Sequence, residues 1–566
     1  MLATKKIVIE LASTVICGVA IGLLMAIAAN AFVEAAVMAN EYRTSLNWME
    51  FSLGDRIYSL SGIASLLLVA FLITLLKKWL NIDHWAGPAD SIYAAHSESS
   101  SLDTKKGLGS TLAALIVTSG GGSVGQYGPL VHFGSTIGLA LKSYLKLRMG
   151  PDIFIGCGVA AAISAGFNAP LAGVLFAHEA ILRHFSLRAI APIFVASISA
   201  SAFSEFFYGQ SPNILNLTEV VPPLDSIFPM LIALGPIFAI VAVIFMYSLR
   251  MASTFAAKSG QYKPLLPFIA AIICGSVGII FPEILGLGIE TINELIGGNT
   301  SFGKIGALLI AKISMTALCI GFGLFGGVFS PALFIGVAAG SLAAASVSYL
   351  GYAGTEQVII IAGMAAISAS VIGAPITSVL IVLELTGSYD YAVAAMLAVI
   401  ISNLVTYRIF GLSFFDRQLL DRGIDMRLGR ESIALSQRLV NTCVGSSYVE
   451  LNSKVTGDEA LNLMKEAGMV ESYVVDQSGN YIGKLDIFGA ISASSNNVLD
   501  FLTIKPTTLY ENESLQAAMK KTVGFVGEGI PILSANKKYL KAVVSEGSIF
   551  QAVIDVQDKV SKIARV

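Results

Sequence analysis

A broken-helix pattern is written twice in this chain. Gly125-Gln126-Tyr127-Gly128-Pro129 is matched by Gly327-Val328-Phe329-Ser330-Pro331. In both copies the proline is followed by glycine at +5 and +9 (Gly134 and Gly138; Gly336 and Gly340), so every pair is offset by 202 residues. A second pattern, Ala169-Pro170 followed by Val174-Leu175 and Glu179, returns as Ala374-Pro375, Val379-Leu380 and Glu384, offset by 205. Apolar segments interrupted by Gly and Pro at corresponding places in two halves point to a transport site between membrane repeats. The chain reads as a transporter or channel, not an enzyme.

Composition supports a membrane body. Only 13% of the 566 residues are charged and 55% are hydrophobic, against about 25% charged in a soluble domain. Residues 430–566 hold 29 charged residues in 137, residues 1–429 only 45 in 429. The expected division is therefore a membrane domain over 1–428, with related halves near 1–215 and 216–428, and a soluble tail over 429–566. A net charge of −2 argues against nucleic acid as a partner. The five cysteines are scattered without ligand spacing, so neither a metal site nor a disulfide framework is expected, and no cofactor is implied.

Apolar runs near 7–36, 57–80, 188–206, 225–249, 264–282 and 391–410 are long enough to span a bilayer. Those near 107–120, 129–146, 153–166, 169–182, 305–325, 331–350, 356–371 and 374–387 are shorter or interrupted. The first run imitates a signal peptide but is about twice the usual length and holds Glu10, so it reads as a retained helix. Non-helical backbone at membrane depth needs protein or a watery cavity around it. The fold class expected is thus an all-α polytopic membrane protein of tilted and broken helices. Lys5 and Lys6 precede the first span, and Arg417, Arg422, Arg427, Arg430 and Arg438 follow the last. That bias puts both termini in the cytoplasm, with the chain multi-pass in the cell (inner) membrane. The tail alternates helix and strand in two copies, about 441–495 and 500–560, and resembles a tandem CBS module.

Gly-x-Phe-x-Pro opening a helix suits an anion. The first helical N–H groups have no internal acceptor and point outward at the positive end of the helix dipole. Pro331 loses nothing at the first turn, where its missing N–H would be unpaired. A neutral cradle also lets the ion leave. No carboxylate cluster for a cation stands at these breaks.

Gly327-Val328-Phe329-Ser330-Pro331 fits the Gly-x-Phe-x-Pro motif of the CLC chloride channels and proton-coupled chloride transporters. Phe167-Asn168-Ala169-Pro170-Leu171-Ala172-Gly173 is similar to another segment of that family, and Val382-Leu383-Glu384-Leu385-Thr386 to a third. The chain resembles the family over almost its whole length. The resemblance implies an inverted-repeat fold, a homodimer with one anion pathway in each subunit, and often a cytoplasmic CBS pair.

The departures bear on mechanism. The family's gating glutamate corresponds to Tyr127, its anion-coordinating serine to Pro88, and its late coordinating tyrosine to Phe415. The proton-transferring glutamate corresponds to Ala180, beside Glu179. A phenol stays neutral at pH 7 and cannot mimic an anion. The expected anion ligands are the Val328 and Phe329 amides with Tyr127 as gate or donor, near Pro88 and Phe415. Tyr127 can equally be an aromatic packed on its repeat mate Phe329. Glu179, His178 and His132 are the candidates for a proton path, although Glu179 and Glu384 can equally cap neighbouring helices. His178-Glu179 opens like a zinc motif, but Leu182 stands where the second histidine is needed. In the tail, the ribose-binding carboxylates of nucleotide-binding CBS modules are missing at Gly489 and Ser548, which argues against an adenine nucleotide.

The leading expectation is permeation of chloride or a similar small anion, passive and uncoupled from protons. The alternatives are proton-coupled transport of chloride, bicarbonate or nitrate by a non-standard route and, from another class, a non-conducting membrane sensor.

Overall fold

Several helices begin at proline or stop at glycine, and this punctuation marks out two matching sets. The computed structural model describes residues 2–45, 50–53, 56–97, 101–145, 149–185, 187–209, 215, 217, 221–298, 300–352, 354–443, 445–503 and 506–565. The first set is α1 (Leu2–Thr44), α2 (Ser61–Leu80), α3 (Pro88–His96), α4 (Thr104–Ser119), α5 (Tyr127–Leu145), α6 (Pro151–Phe167), α7 (Pro170–Phe176) and α8 (Leu187–Tyr208). The second is α9 (Leu224–Lys258), α10 (Leu266–Ile280), α11 (Ile289–Ile296), α12 (Phe302–Gly321), α13 (Phe329–Tyr349), α14 (Glu356–Ile372), α15 (Pro375–Thr386) and α16 (Tyr389–Ile409). The short α17 (Phe414–Asp421) follows. Each helix of the first set has its counterpart about two hundred residues on. Packing repeats too: α1 lies on α6 and α8 as α9 lies on α14 and α16.

Eight helices among the described residues are long and apolar enough to cross a membrane, so the chain is a multi-pass membrane protein. The shorter α6, α7, α14 and α15 are four of the segments read as short or interrupted, whereas α12 and α13, read the same way, are long enough to span. α14 is apolar all round and every residue from Gln357 to Ile372 is buried, the mark of a helix enclosed by other helices. α4 ends at Ser119, and Gly121 takes φ +91°, where the Gly-rich run predicts a stop. One departure is an antiparallel hairpin, β1 (Glu50–Leu53) with β2 (Arg56–Ser59), where the sequence reads as the start of an apolar span. α3 and α11, nine and eight residues long, also escape a hydropathy reading.

The Gly-x-x-x-Gly pairs let helices touch backbone to backbone. A Cβ on Gly134 would lie 2.1 Å from the Gly158 carbonyl oxygen, and one on Gly138 2.1 Å from that of Phe154, which fuses α5 to α6. On α13, a Cβ on Gly336 would lie 2.6 Å from Met364 Cα on α14.

The chain divides into two compact units, Met1–Gly423 and Ile424–Val566. The second unit starts with α18 (Gly429–Gln437) and then repeats one motif twice. In the first copy β3 (Val449–Asn452), β4 (Glu471–Val475) and β5 (Tyr481–Asp486) form a sheet in that order, with α19 (Gly457–Ala467) and α20 (Ile487–Ala493). In the second, β6 (Leu509–Tyr510), β7 (Ile530–Leu533) and β8 (Leu540–Val544) repeat the order with α21 (Leu515–Thr522) and α22 (Glu546–Arg565). Each sheet has one parallel and one antiparallel pairing. Each copy buries its own apolar cluster, around Leu451, Val474 and Leu485 and around Leu509, Ile532 and Val544. This is the small α/β domain expected of the tail, with β3 and β6 added to the elements read from sequence.

Candidate functional site at the meeting of the repeats

The two Gly-x-x-x-Pro breaks face each other. Gly125 N–H donates to the Gly327 carbonyl at 2.7 Å and Gly327 N–H to that of Gly125 at 2.6 Å, an isolated antiparallel pair. These mutual bonds join equivalent residues, as a two-fold relation between inverted halves requires. From this tie α5 and α13 run outward. Their first helical bonds are Leu130 N–H to Gln126 O at 3.1 Å and Ala332 N–H to Val328 O at 3.0 Å, again equivalent. The amides of Val328 and Phe329 therefore precede the first helical donor of α13, where helix N–H groups have no intrahelical acceptor. Two positive helix ends meet at one buried point, which suits an anion.

Glycine at 128 and 327 is required by the approach. A Cβ on Gly128 would lie 3.1 Å from Gly327 Cα, and one on Gly327 2.8 Å from Gly128 N. Pro88 enters from α3, and its Cγ would stand 3.6 Å from that same Cβ on Gly128. The start of α3 is closed by Asp90, which accepts the Gly87 N–H at 2.8 Å and pairs with Arg422 at 2.9 Å. The structure thus brings together Pro88, Tyr127, Val328 and Phe329. Phe415 is buried on α17, which packs against α3, its ring edge-on to Phe414.

Tyr127 lies in an aromatic stack. Its ring centroid is 3.7 Å from that of Phe167 and 5.5 Å from that of Phe329, which is also 5.1 Å from Phe167. Its hydroxyl donates to the Gly166 carbonyl at 3.3 Å. The packing reading of this residue matches its contacts: it lies on its repeat mate, at the first residue of α5. Its one O–H is already given to backbone.

Glu179 and Glu384 are helix caps, each for the opposite repeat. Glu384 accepts the Leu171 and Ala172 N–H groups at the start of α7, both at 2.8 Å. Glu179 accepts those of Ile376 and Thr377 at the start of α15, at 2.9 and 2.8 Å, and the Thr377 hydroxyl at 2.7 Å. Glu179 sits on a single π-helical turn, Ala177–Leu182, that follows α7. The wider turn also holds Ala180 and His178, both buried. His178 Nδ1 bonds the His184 carbonyl at 3.0 Å and its ring stacks on Phe185, while Nε2 has no partner among the described residues. His132, buried on α5, shares a 2.9 Å bond with Ser91 Oγ of α3. The three proton-path candidates do not bond to one another among the described residues.

Two adjoining cavities lead to this point. The larger, of about 480 Å³, lies by the C-terminal end of α1 and the loop before α11; Arg43 and Lys304 line it against Glu41, Glu283, Glu290 and Glu294. Lys304 pairs with Glu283 at 2.7 Å. With acids in excess, attraction for an anion comes from the helix ends rather than from this mouth. Leu287 and Ile289 line both cavities, and the smaller, of about 40 Å³, reaches Gln126, Tyr127 and Ser330.

Sequence reasoning missed Lys312. It is fully buried on α12, donates to the Ile284 and Gly286 carbonyls at 2.9 and 3.2 Å, and lies 4.9 Å from the Phe334 ring of α13. A lone lysine in an apolar span is a functional suspect by default, and that signal was in the sequence.

A family model described as Voltage gated chloride channel matches residues 66–407. The H(+)/Cl(−) exchange transporter ClcA of Citrobacter koseri is 32% identical over 334 residues, covering 57% of this chain and 70% of that protein. A solved structure of a slow cyanobacterial Cl−/H+ antiporter superposes with a TM-score of 0.62 at 22% identity, over 72% of this chain and 97% of that one. A eukaryotic CLC transporter superposes with a TM-score of 0.62 at 17% identity, over 95% and 98%.

Proposed function

The chain belongs to the voltage-gated chloride channel family, and from that premise we propose that it lets chloride or a similar small anion cross the membrane passively, uncoupled from protons. The observation that carries the reading is Tyr127 at the joined starts of α5 and α13, with its hydroxyl held by Gly166. A carboxylate there could enter the anion site as a rival charge and leave when protonated. A phenol packed between Phe167 and Phe329 can obstruct only by its bulk. The Val328 and Phe329 amides hold the ion, Pro88 and Phe415 shape the opposite wall, and Tyr127 is a steric gate. The protein works as a homodimer in the cell (inner) membrane with both termini in the cytoplasm. Its tail acts as a CBS pair that modulates the pore without an adenine nucleotide. Asp486 in that tail is occupied as the cap of α20, accepting the Gly489 N–H at 2.7 Å.

Proton-coupled exchange is the second reading, favoured by the unpartnered Nε2 of buried His178 on the turn that carries Ala180. The curated relative is itself named an H(+)/Cl(−) exchanger. Liposomes holding purified protein and a pH probe decide between the two. An outward anion gradient should collapse without driving protons uphill, and Tyr127→Ala should speed the collapse. Uphill proton movement at a fixed ratio would replace the first reading by the second, with His178→Phe as the next variant.

A further inference from the structure

Two side-chain oxygen atoms that line the small cavity find no partner among the described residues, although the Gln126 side chain also bonds the Tyr127 phenol. Gln126 Oε1 and Ser330 Oγ are buried and unbonded among the described residues, with the residues 2% and 7% exposed. They come from the two repeats, Gln126 just before α5 and Ser330 in the first turn of α13. Leaving such atoms unpaired costs about 1–3 kcal/mol each, so a folded chain pairs them with what the cavity holds, a water or a ligand. The cavity of about 40 Å³ exceeds the ~10–15 Å³ that one water needs and can take a small oxoanion. Its other walls include Phe167, Leu287, Ile289 and Leu333. Among the described residues no charged side chain lines it, and it touches Tyr127.

Resting on the anion-transport reading, we propose that Gln126 and Ser330 form a side-chain subsite at the gate that selects hydrogen carbonate over halide. An amide offers an acceptor and two donors, and a hydroxyl one donor and an acceptor. A halide can accept from Ser330 and from the amide N–H, but it leaves the Gln126 carbonyl oxygen unpaired. Hydrogen carbonate accepts through its carboxylate oxygens and donates its own O–H to that oxygen, so each polar group is satisfied. A site built to bond a substrate hydroxyl discriminates strongly against an analogue lacking it.

The test is the ratio of hydrogen carbonate to chloride flux at pH 8 in liposomes, for wild type, Gln126→Leu and Ser330→Ala. The wild type should favour hydrogen carbonate, and each substitution should lower the ratio about tenfold, the share of one buried hydrogen-bonding group. If Gln126→Leu does not fold, Gln126→Asn withdraws the amide and should move the ratio the same way. A ratio unchanged in every folded variant overturns the subsite and leaves anion transport standing. Absence of flux for every anion overturns the transport reading instead. In that case equilibrium binding of 13C-labelled hydrogen carbonate to detergent-purified protein decides the subsite: about tenfold weaker binding in the variants supports it, and equal binding overturns it.

Discussion

At the start of α13 the backbone is flanked by Val328, Phe329 and Ser330; at the start of α5, 202 residues earlier, the equivalent positions are Gln126, Tyr127 and Gly128. Backbone geometry is the same at both, down to the paired Gly125 and Gly327 bonds. Side-chain chemistry is not. The second repeat gives bare amides, an apolar ring and the Ser330 hydroxyl, while the first gives an amide side chain and a phenol tied to Gly166. What the repeats share makes a place for an anion, and what they do not share makes selectivity and gating. The same division recurs in the packing, in the loop anchors and in the caps, and each can be tested by changing equivalent residues in both halves.

The largest difference should come from helix contact. A methyl on Gly134 would meet the Gly158 carbonyl oxygen at 2.1 Å, whereas one on Gly336 would meet Met364 Cα at 2.6 Å. Neither fits without movement, and overpacking against backbone costs about 1–3 kcal/mol or more. Gly134→Ala should therefore destabilise by about 3 kcal/mol or more, and Gly336→Ala by less. Thermal unfolding in detergent checks the order. Equal losses would mean that the two interfaces yield alike.

The sequence made the repeat legible because glycine and proline act on the backbone locally. The breaks at Ser119-Gly120-Gly121-Gly122, at Ala169-Pro170 and at both Gly-x-x-x-Pro sites fall where they are written. α3 and α11 were not legible, since helices of nine and eight residues leave too short an apolar run to stand out. Nor was the hairpin at 50–59, which lies at the edge of an apolar stretch. At the site, the residue types were readable but their partners were not. Glu179 could be read as a cap or as a proton carrier, because only tertiary structure brings residues 179 and 376 together. Gln126 and Ser330 stand out in the sequence only as members of the two repeated motifs. Their meaning lies in what they fail to bond, which no sequence displays.

Next in size is the pair of loop anchors. Lys312 on α12 donates to the carbonyls of Ile284 and Gly286, ahead of α11. Its counterpart 202 residues earlier, Ser110 on α4, accepts the Ala86 N–H at 2.9 Å, ahead of α3. Both hold the loop before a short helix, but one does so with a neutral hydroxyl and the other with a cation. A cation in a low-dielectric surrounding acts well beyond contact distance, and Lys312 lies 4.9 Å from the Phe334 ring of α13. Lys312→Met should cost stability and also slow anion flux by about tenfold, about 1.4 kcal/mol. Ser110→Ala should cost about 1 kcal/mol of stability, one neutral hydrogen bond, with a much smaller change in flux. Flux per folded protein, measured for both variants, separates the two roles. Equal slowing would reduce Lys312 to an anchor.

The smallest difference is between the crossed caps. Each carboxylate accepts two backbone N–H groups, but Glu179 also receives the Thr377 hydroxyl at 2.7 Å. The equivalent of Thr377 in the first half is Ala172, so Glu384 has no such third donor in that position. Losing a cap costs about 0.5–2 kcal/mol. A glutamine in either place keeps one accepting oxygen and turns an NH2 group toward a backbone N–H, so both substitutions should destabilise. Glu179→Gln should lose about 1 kcal/mol more than Glu384→Gln, because the hydroxyl's bond to a carboxylate becomes a weaker bond to a neutral amide. A double-mutant cycle with Thr377→Val isolates that term: the gap should close when the hydroxyl is absent. If it stays open, the asymmetry arises from the π-helical turn beneath Glu179 rather than from Thr377, and the two caps differ in backbone instead of in donors.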